Sequence, residues 1–165
     1  MKTLLINAIT VLIMCSDPFS YQDNLSQTDS VLLNSVNNAD FETLNLSEIE
    51  QNVIAIVNNE RASAGLCELT YNENLQQAAV IRAEEISKYF SHTRPNGEEW
   101  WTVDESNVYG ENLAKGFSSA QGVFDAWMGS SLHKENILFP DFKTIGVARY
   151  ETEDGRIYWC QLFGY

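Results

Sequence analysis

Ile145-Gly146-Val147-Ala148-Arg149-Tyr150 and Ile157-Tyr158-Trp159-Cys160-Gln161-Leu162-Phe163 are two β-prone runs, and Glu153-Asp154-Gly155 lies between them. An Asp-Gly turn between such runs is a hairpin signal. Upstream, Leu66 to Tyr71 reads as a short strand, and helices surround it. Ser47-x-x-Glu50 has the capping-box pattern, after which Ile49, Val53, Ile56 and Val57 recur at helical spacing up to the C-cap candidate Gly65, predicting a helix over 48–64. Asn72 caps a second helix with Leu75, Ala78, Ala79, Ile86 and Phe90 on one face. Ser91 to Val108 has no periodicity and carries the turn Pro95-Asn96-Gly97. Ser118 or Ser119 starts a third helix burying Val123, Phe124 and Trp127, and a helical turn over His133 to Leu138 stops at Pro140. An early strand joining a late hairpin predicts an α+β fold, a small antiparallel sheet with helices packed on it. No internal repeat is visible.

The chain has 165 residues, 44% apolar and 12% aromatic, enough for one domain with a real core. Ten Lys and Arg face 23 Asp and Glu, a net charge of −13. Such a surface repels phosphate backbones and anionic bilayers, which excludes nonspecific nucleic-acid binding and leaves metals, cations and neutral or apolar molecules as ligands.

Lys2 precedes an apolar run from Leu4 to Met14, too short to span a bilayer and suited to the core of a signal peptide over residues 1–20. Cys15 follows Leu12-Ile13-Met14 and is a candidate lipid-attachment site of bacterial lipoprotein type, although Met14 is larger than the residue usual there. The alternative is cleavage between Ser16 and Ser20. Residues 21–47 are rich in Asn, Ser, Asp, Gln and Thr, carry no base, and read as an acidic flexible spacer ahead of a folded domain at 48–165. The expected location is secreted or cell-surface.

Eight further pieces recur in order. They are Asn58-x-x-Arg61 with Gly65-Leu66 and Leu69; Ala78-Ala79 and Arg82-Ala83-x-Glu85; Ser91-His92-Thr93-Arg94-Pro95-Asn96-Gly97; and Gly110-Glu111-Asn112-Leu113-Ala114. Then come Ala126-Trp127-Met128-x-Ser130; His133-x-x-Asn136-Ile137-Leu138; Ile145-Gly146-Val147; and Tyr158-Trp159-x-Gln161-x-Phe163-Gly164. Together they cover nearly all of 52–164 and resemble the CAP superfamily (cysteine-rich secretory proteins, antigen 5 and pathogenesis-related 1; SCP domains), in its bacterial branch. The resemblance implies a three-layer α-β-α sandwich and an extracellular or cell-envelope role. It also implies a cleft with two His and usually two Glu, three of which match His92, Glu111 and His133. The second Glu, which in eukaryotic relatives follows the tryptophan by three residues, is replaced by Ser130.

His92 and His133 are the chain's two histidines, and each lies in a turn-rich segment. Imidazole with carboxylate suits Zn²⁺ or another divalent metal with an open position, so His92, Glu111 and His133 are candidate metal ligands. Glu111 has a plainer reading, in which Gly110 turns the chain tightly and the carboxylate accepts backbone N–H bonds. Asn112 and Asn136 read as hydrogen-bonders at the cleft. The leading functional reading is a noncatalytic binding domain for a small-molecule, lipid, glycan or protein ligand, acting as a monomer. The alternative is a peptidase-like hydrolase in which His92, Glu111 and His133 or a bound metal activate water. Ser130 and Ser131 sit near His133 but lack a Gly-x-Ser-x-Gly elbow.

Trp100, Trp101 and Tyr109, with Phe117 and Phe139, are candidates for lining a groove, or for closing the core. Cys67 and Cys160 fall in the first and last strands. In an oxidising compartment they either pair, closing a loop worth about 4 kcal/mol in chain entropy, or remain as two buried thiols.

Overall fold

In the computed structural model, residues 46–165 are described; the segment expected as a signal peptide, Cys15 and all but the end of the expected spacer lie outside them. The chain runs α1 (Glu48–Ser63), β1 (Thr70–Tyr71), α2 (Glu73–Lys88), a 3₁₀ turn (Trp100–Val103), β2 (Gly110–Lys115), α3 (Ala120–Met128), α4 (Ser131–Ile137), β3 (Thr144–Glu151) and β4 (Ile157–Gly164).

The helix ends follow the capping residues. Glu50 accepts from Ser47 N–H at 2.9 Å and from Ser47 Oγ at 2.6 Å, while its other oxygen accepts from Arg149 N–H on β3 at 2.9 Å. The first cap is thereby tied to the sheet, and Leu46 beside it is already in the core. Asn72 Oδ1 accepts from Leu75 N–H, and Ser119 Oγ from Gly122 N–H, starting α2 and α3.

The sheet order is β1-β3-β4-β2. β3 and β4 form the expected antiparallel hairpin, Thr144 opposite Gly164 through Glu151 opposite Ile157. Three features differ from the sequence reading. The sheet is mixed rather than antiparallel, because β1 pairs parallel to β3, with Thr70 opposite Thr144. A long connection containing α2 joins these strands, so no tight turn forces them antiparallel. β1 is also shorter than Leu66–Tyr71, because Asn58 takes both the N–H and the C=O of Leu69 and Arg61 takes the C=O of Cys67. The third difference is β2, where the sequence shows turn chemistry and the structure has a strand. It pairs antiparallel with β4 from Gly110 opposite Phe163 to Lys115 opposite Tyr158.

One layer is α2 alone. Leu75, Ala78, Ala79, Ala83 and Ile86 pack against Leu113, Ala148, Cys160 and Leu162 of the sheet. The opposite layer is α1, α3 and α4, whose Val53, Ile54, Val57, Val123, Phe124, Trp127 and Ile137 cover Val147, Trp159 and Phe163. The fold is therefore an α+β sandwich of helix, sheet and helix layers. Gly146 lets α2 lie directly on β3, since a Cβ there would stand 2.4 Å from the Leu75 carbonyl carbon.

Cys160 is a free thiol, buried in the α2-side core. The expected Cys67–Cys160 bridge is not formed. The side chain of Cys160 faces α2, whereas the Cys67 backbone is held by Arg61 of α1, in the opposite layer.

Candidate functional site

The cleft is built on an arginine. Arg82 lies on the apolar stripe of α2, fully buried, and a guanidinium there must be ion-paired and hydrogen-bonded. Its Nε donates to Glu111 Oε2 at 2.7 Å and its Nη2 to Glu111 Oε1 at 3.2 Å. Nη1 donates to Glu85 Oε2 at 2.7 Å, and Nη2 also to the Ser91 carbonyl at 2.9 Å. Glu85 is gripped from the other side by Arg94, whose Nη2 reaches Oε1 at 2.7 Å. Glu111, Arg82, Glu85 and Arg94 thus form a ladder of alternating charge from the sheet to the loop after α2.

His92 stands on that loop between the two pinned points, Ser91 and Arg94. Its Nδ1 is 2.7 Å from Glu111 Oε1, and its side chain is 55% exposed while that of Glu111 is 1% exposed. An ionised carboxylate only accepts, so the imidazole donates through Nδ1–H, which leaves Nε2 as the nitrogen not engaged by Glu111.

His133 comes from α4, which is fastened along β2. Asn112 Nδ2 donates to the His133 carbonyl and to Gln161 Oε1, each at 3.0 Å. Asn136 Nδ2 donates to Asn112 Oδ1 at 2.9 Å and to the Glu111 carbonyl at 3.3 Å. Burial lowers the His133 pKa below the ordinary imidazole value, and the charge of nearby His92 lowers it further. His92 and Glu111 therefore meet, His133 lies near enough for the charge of His92 to act on it, and Asn112 and Asn136 fasten α4 to β2.

Glu111 does not take the roles first read for it. Gly110 makes no tight turn; it is a strand residue, and a Cβ there would meet the Phe142 ring at 2.9 Å. The carboxylate accepts from Arg82 and His92 rather than from backbone. Because both oxygens are engaged and the group is buried, it does not fit as a direct metal ligand. Among the described residues no three His, Cys, Asp or Glu side chains are grouped to hold a metal ion.

The aromatic candidates separate. Trp100 packs against the α2-side core, and Trp101 is 43% exposed, its ring edge-on to Trp100 at 5.4 Å. Tyr109 joins a second cluster, 4.6 Å from the Tyr165 ring, with Phe139 and Phe142 behind. Phe117 is half-buried, and its carbonyl accepts from Trp159 Nε1 at 2.8 Å. The residues that sequence reasoning gave no role are Arg82, Glu85 and Arg94. A signal was present, since Arg82 is the one charged residue on a stripe otherwise made of Ala78, Ala79, Ala83 and Ile86.

A helix–sheet–helix sandwich with a carboxylate-oriented imidazole in a cleft beside β2 defines a class of proteins. The chain belongs to that class as a member of the cysteine-rich secretory protein (CAP) family, whose profile matches residues 54–163. It is 34% identical over 125 residues to the uncharacterized protein YkwD of Bacillus subtilis strain 168, an alignment covering 72% of this chain and 48% of YkwD. The chain thus spans less than half the length of that curated relative. Among solved structures it resembles an outer surface protein of Borrelia burgdorferi, with TM-score 0.62, 24% identity, and coverage of 72% of this chain and 95% of that one. It also resembles an extracellular SCP-domain protein of Bacillus anthracis, with TM-score 0.59, 22% identity, and coverage of 68% and 39%. No helix among the described residues is long and apolar enough to cross a membrane.

Proposed function

We propose that the chain is an exported, noncatalytic binding domain of the cell surface or envelope, whose ligand enters the cleft between His92 and His133. The supporting observation is the exposed His92 ring held by a buried, arginine-clamped carboxylate, which presents one nitrogen lone pair outward beside a second imidazole. The extracellular and outer-surface relatives support export, as does the signal-like N-terminus, with Cys15 as candidate lipid anchor. The net charge of −13 favours a neutral or cationic partner, whether small molecule, lipid, glycan or protein surface. A divalent metal such as Zn²⁺ would be held by the two imidazoles, and would there supply an electrophilic centre for an oxygen or nitrogen ligand.

Calorimetric titration of the full chain with Zn²⁺ and Cu²⁺, beside His92→Ala/His133→Ala, tests the metal part. One-to-one binding that the double variant loses supports the site. No binding, or binding unchanged in the variant, overturns the metal assignment. The hydrolase reading has one observation in its favour, the oriented imidazole, which is how a general base is held. Against it, no hydroxyl or thiol among the described residues is hydrogen-bonded to that ring. Peptide turnover that vanishes in His92→Ala would overturn the noncatalytic reading.

A further inference from the structure

We propose that Arg82 is the positioning residue of the cleft. By clamping Glu111 it fixes that carboxylate as the acceptor for His92 Nδ1–H, so that the site offers His92 Nε2, and not a carboxylate oxygen, to whatever enters. The proposal builds on the cleft reading above, but on its geometry and not on what it binds.

One guanidinium controls both halves of the His92–Glu111 contact. Two of its nitrogens hold the Glu111 carboxylate, at 2.7 and 3.2 Å, and its Nη2 also bonds the carbonyl of Ser91, the residue before His92, at 2.9 Å. The acceptor and the backbone that carries the donor are therefore fixed to the same planar group. The far side of the loop is secured through Glu85, which joins Arg82 to Arg94. Arg82 is fully buried, so turning Glu111 outward to a ligand would strand a cation in the core. Oε1 is taken by Arg82 Nη2 and His92, and Oε2 by Arg82 Nε with Cys160 Sγ 3.8 Å away. A lysine cannot reproduce this, because an ammonium is a point donor and not a planar fork.

The test is the ¹⁵N spectrum of the imidazoles in the full chain, read at a pH where both rings are neutral, for wild type, Arg82→Lys and His133→Ala. In wild type His92 is expected as the Nδ1–H tautomer, and in His133→Ala it stays so. In Arg82→Lys, with its fold verified by circular dichroism, that preference is lost and Nε2–H becomes the major form. Wild-type His92 in the Nε2–H form overturns the proposal, as does an unchanged tautomer in folded Arg82→Lys or a changed one in His133→Ala. If Arg82→Lys does not fold, wild type decides. A slowly exchanging Arg82 Nε–H resonance together with the Nδ1–H tautomer upholds the clamp, and a fast-exchanging one overturns it. No ligand is added, so failure of the binding reading and failure of this one are separate results.

Discussion

Glu85 shares one face with Arg82 and the other with Arg94, and its titration reports on the whole ladder. Burial raises its pKa, but hydrogen bonds from Arg94 and then Arg82 outweigh this and hold it below the ordinary 4.5. A depressed folded pKa means that the unfolded chain binds the proton first as pH falls. The stabilisation is therefore complete above the unfolded value and drains away as pH drops through the folded one. Urea midpoints of wild type are expected to fall on acidification below about 4.5, whereas Glu85→Gln starts lower at neutral pH and falls less steeply. Parallel curves would show that the ladder contributes no pH-dependent stability. His92 and Glu111 were legible in the sequence through motif order, whereas Arg82 was not given its part. Periodicity placed its neighbours on the buried face of α2, but which acid meets a buried guanidinium depends on a strand far along the chain. The cysteines misled for a related reason: Cys67 lies before β1 and not in it, and Cys160 faces α2.

The helices were readable because their signals are local. Ser47 with Glu50, Asn72 and Ser119 each mark a start, and apolar spacing carries the rest. β2 was not, because Gly110-Glu111-Asn112 looks like turn chemistry. Its polar side chains are buried by partners that sequence order does not reveal, Arg82 on one face and Gln161 with Asn136 on the other. The parallel pairing of β1 was hidden by its two-residue length. Helix and sheet backbones approach closely where α2 meets β3 at Gly146. Gly146→Ala would drive a methyl group against the Leu75 backbone, which cannot rotate away as a side chain could. The expected loss is about 1–3 kcal/mol by urea denaturation. A near-neutral result would mean that α2 slides freely on the sheet.

For the molecule as a whole, charge is the dominant long-range property. A net −13 repels itself at low ionic strength, whereas the Glu111–Arg82–Glu85–Arg94 ladder is mostly buried and screened far less. Raising salt from about 0.01 M to about 0.1 M shortens the screening length from about 30 Å to about 10 Å, so the melting temperature is expected to rise. A fall would mean that attractive surface pairs outweigh the excess of acid.

Arg61 gives the fold a calendar. Fully buried on α1, it donates to the carbonyls of Ile137 and Phe139, 76 and 78 residues downstream, and of Phe142, 81 residues downstream. At a ribosomal rate of about 5–20 residues per second, Arg61 is synthesised roughly 4–16 s before those partners are. Until then its guanidinium has only water and nearby carbonyls such as that of Cys67 to bond. The segment from Leu138 to Lys143 then arrives with few strand or helix bonds of its own and settles onto a side chain synthesised long before it.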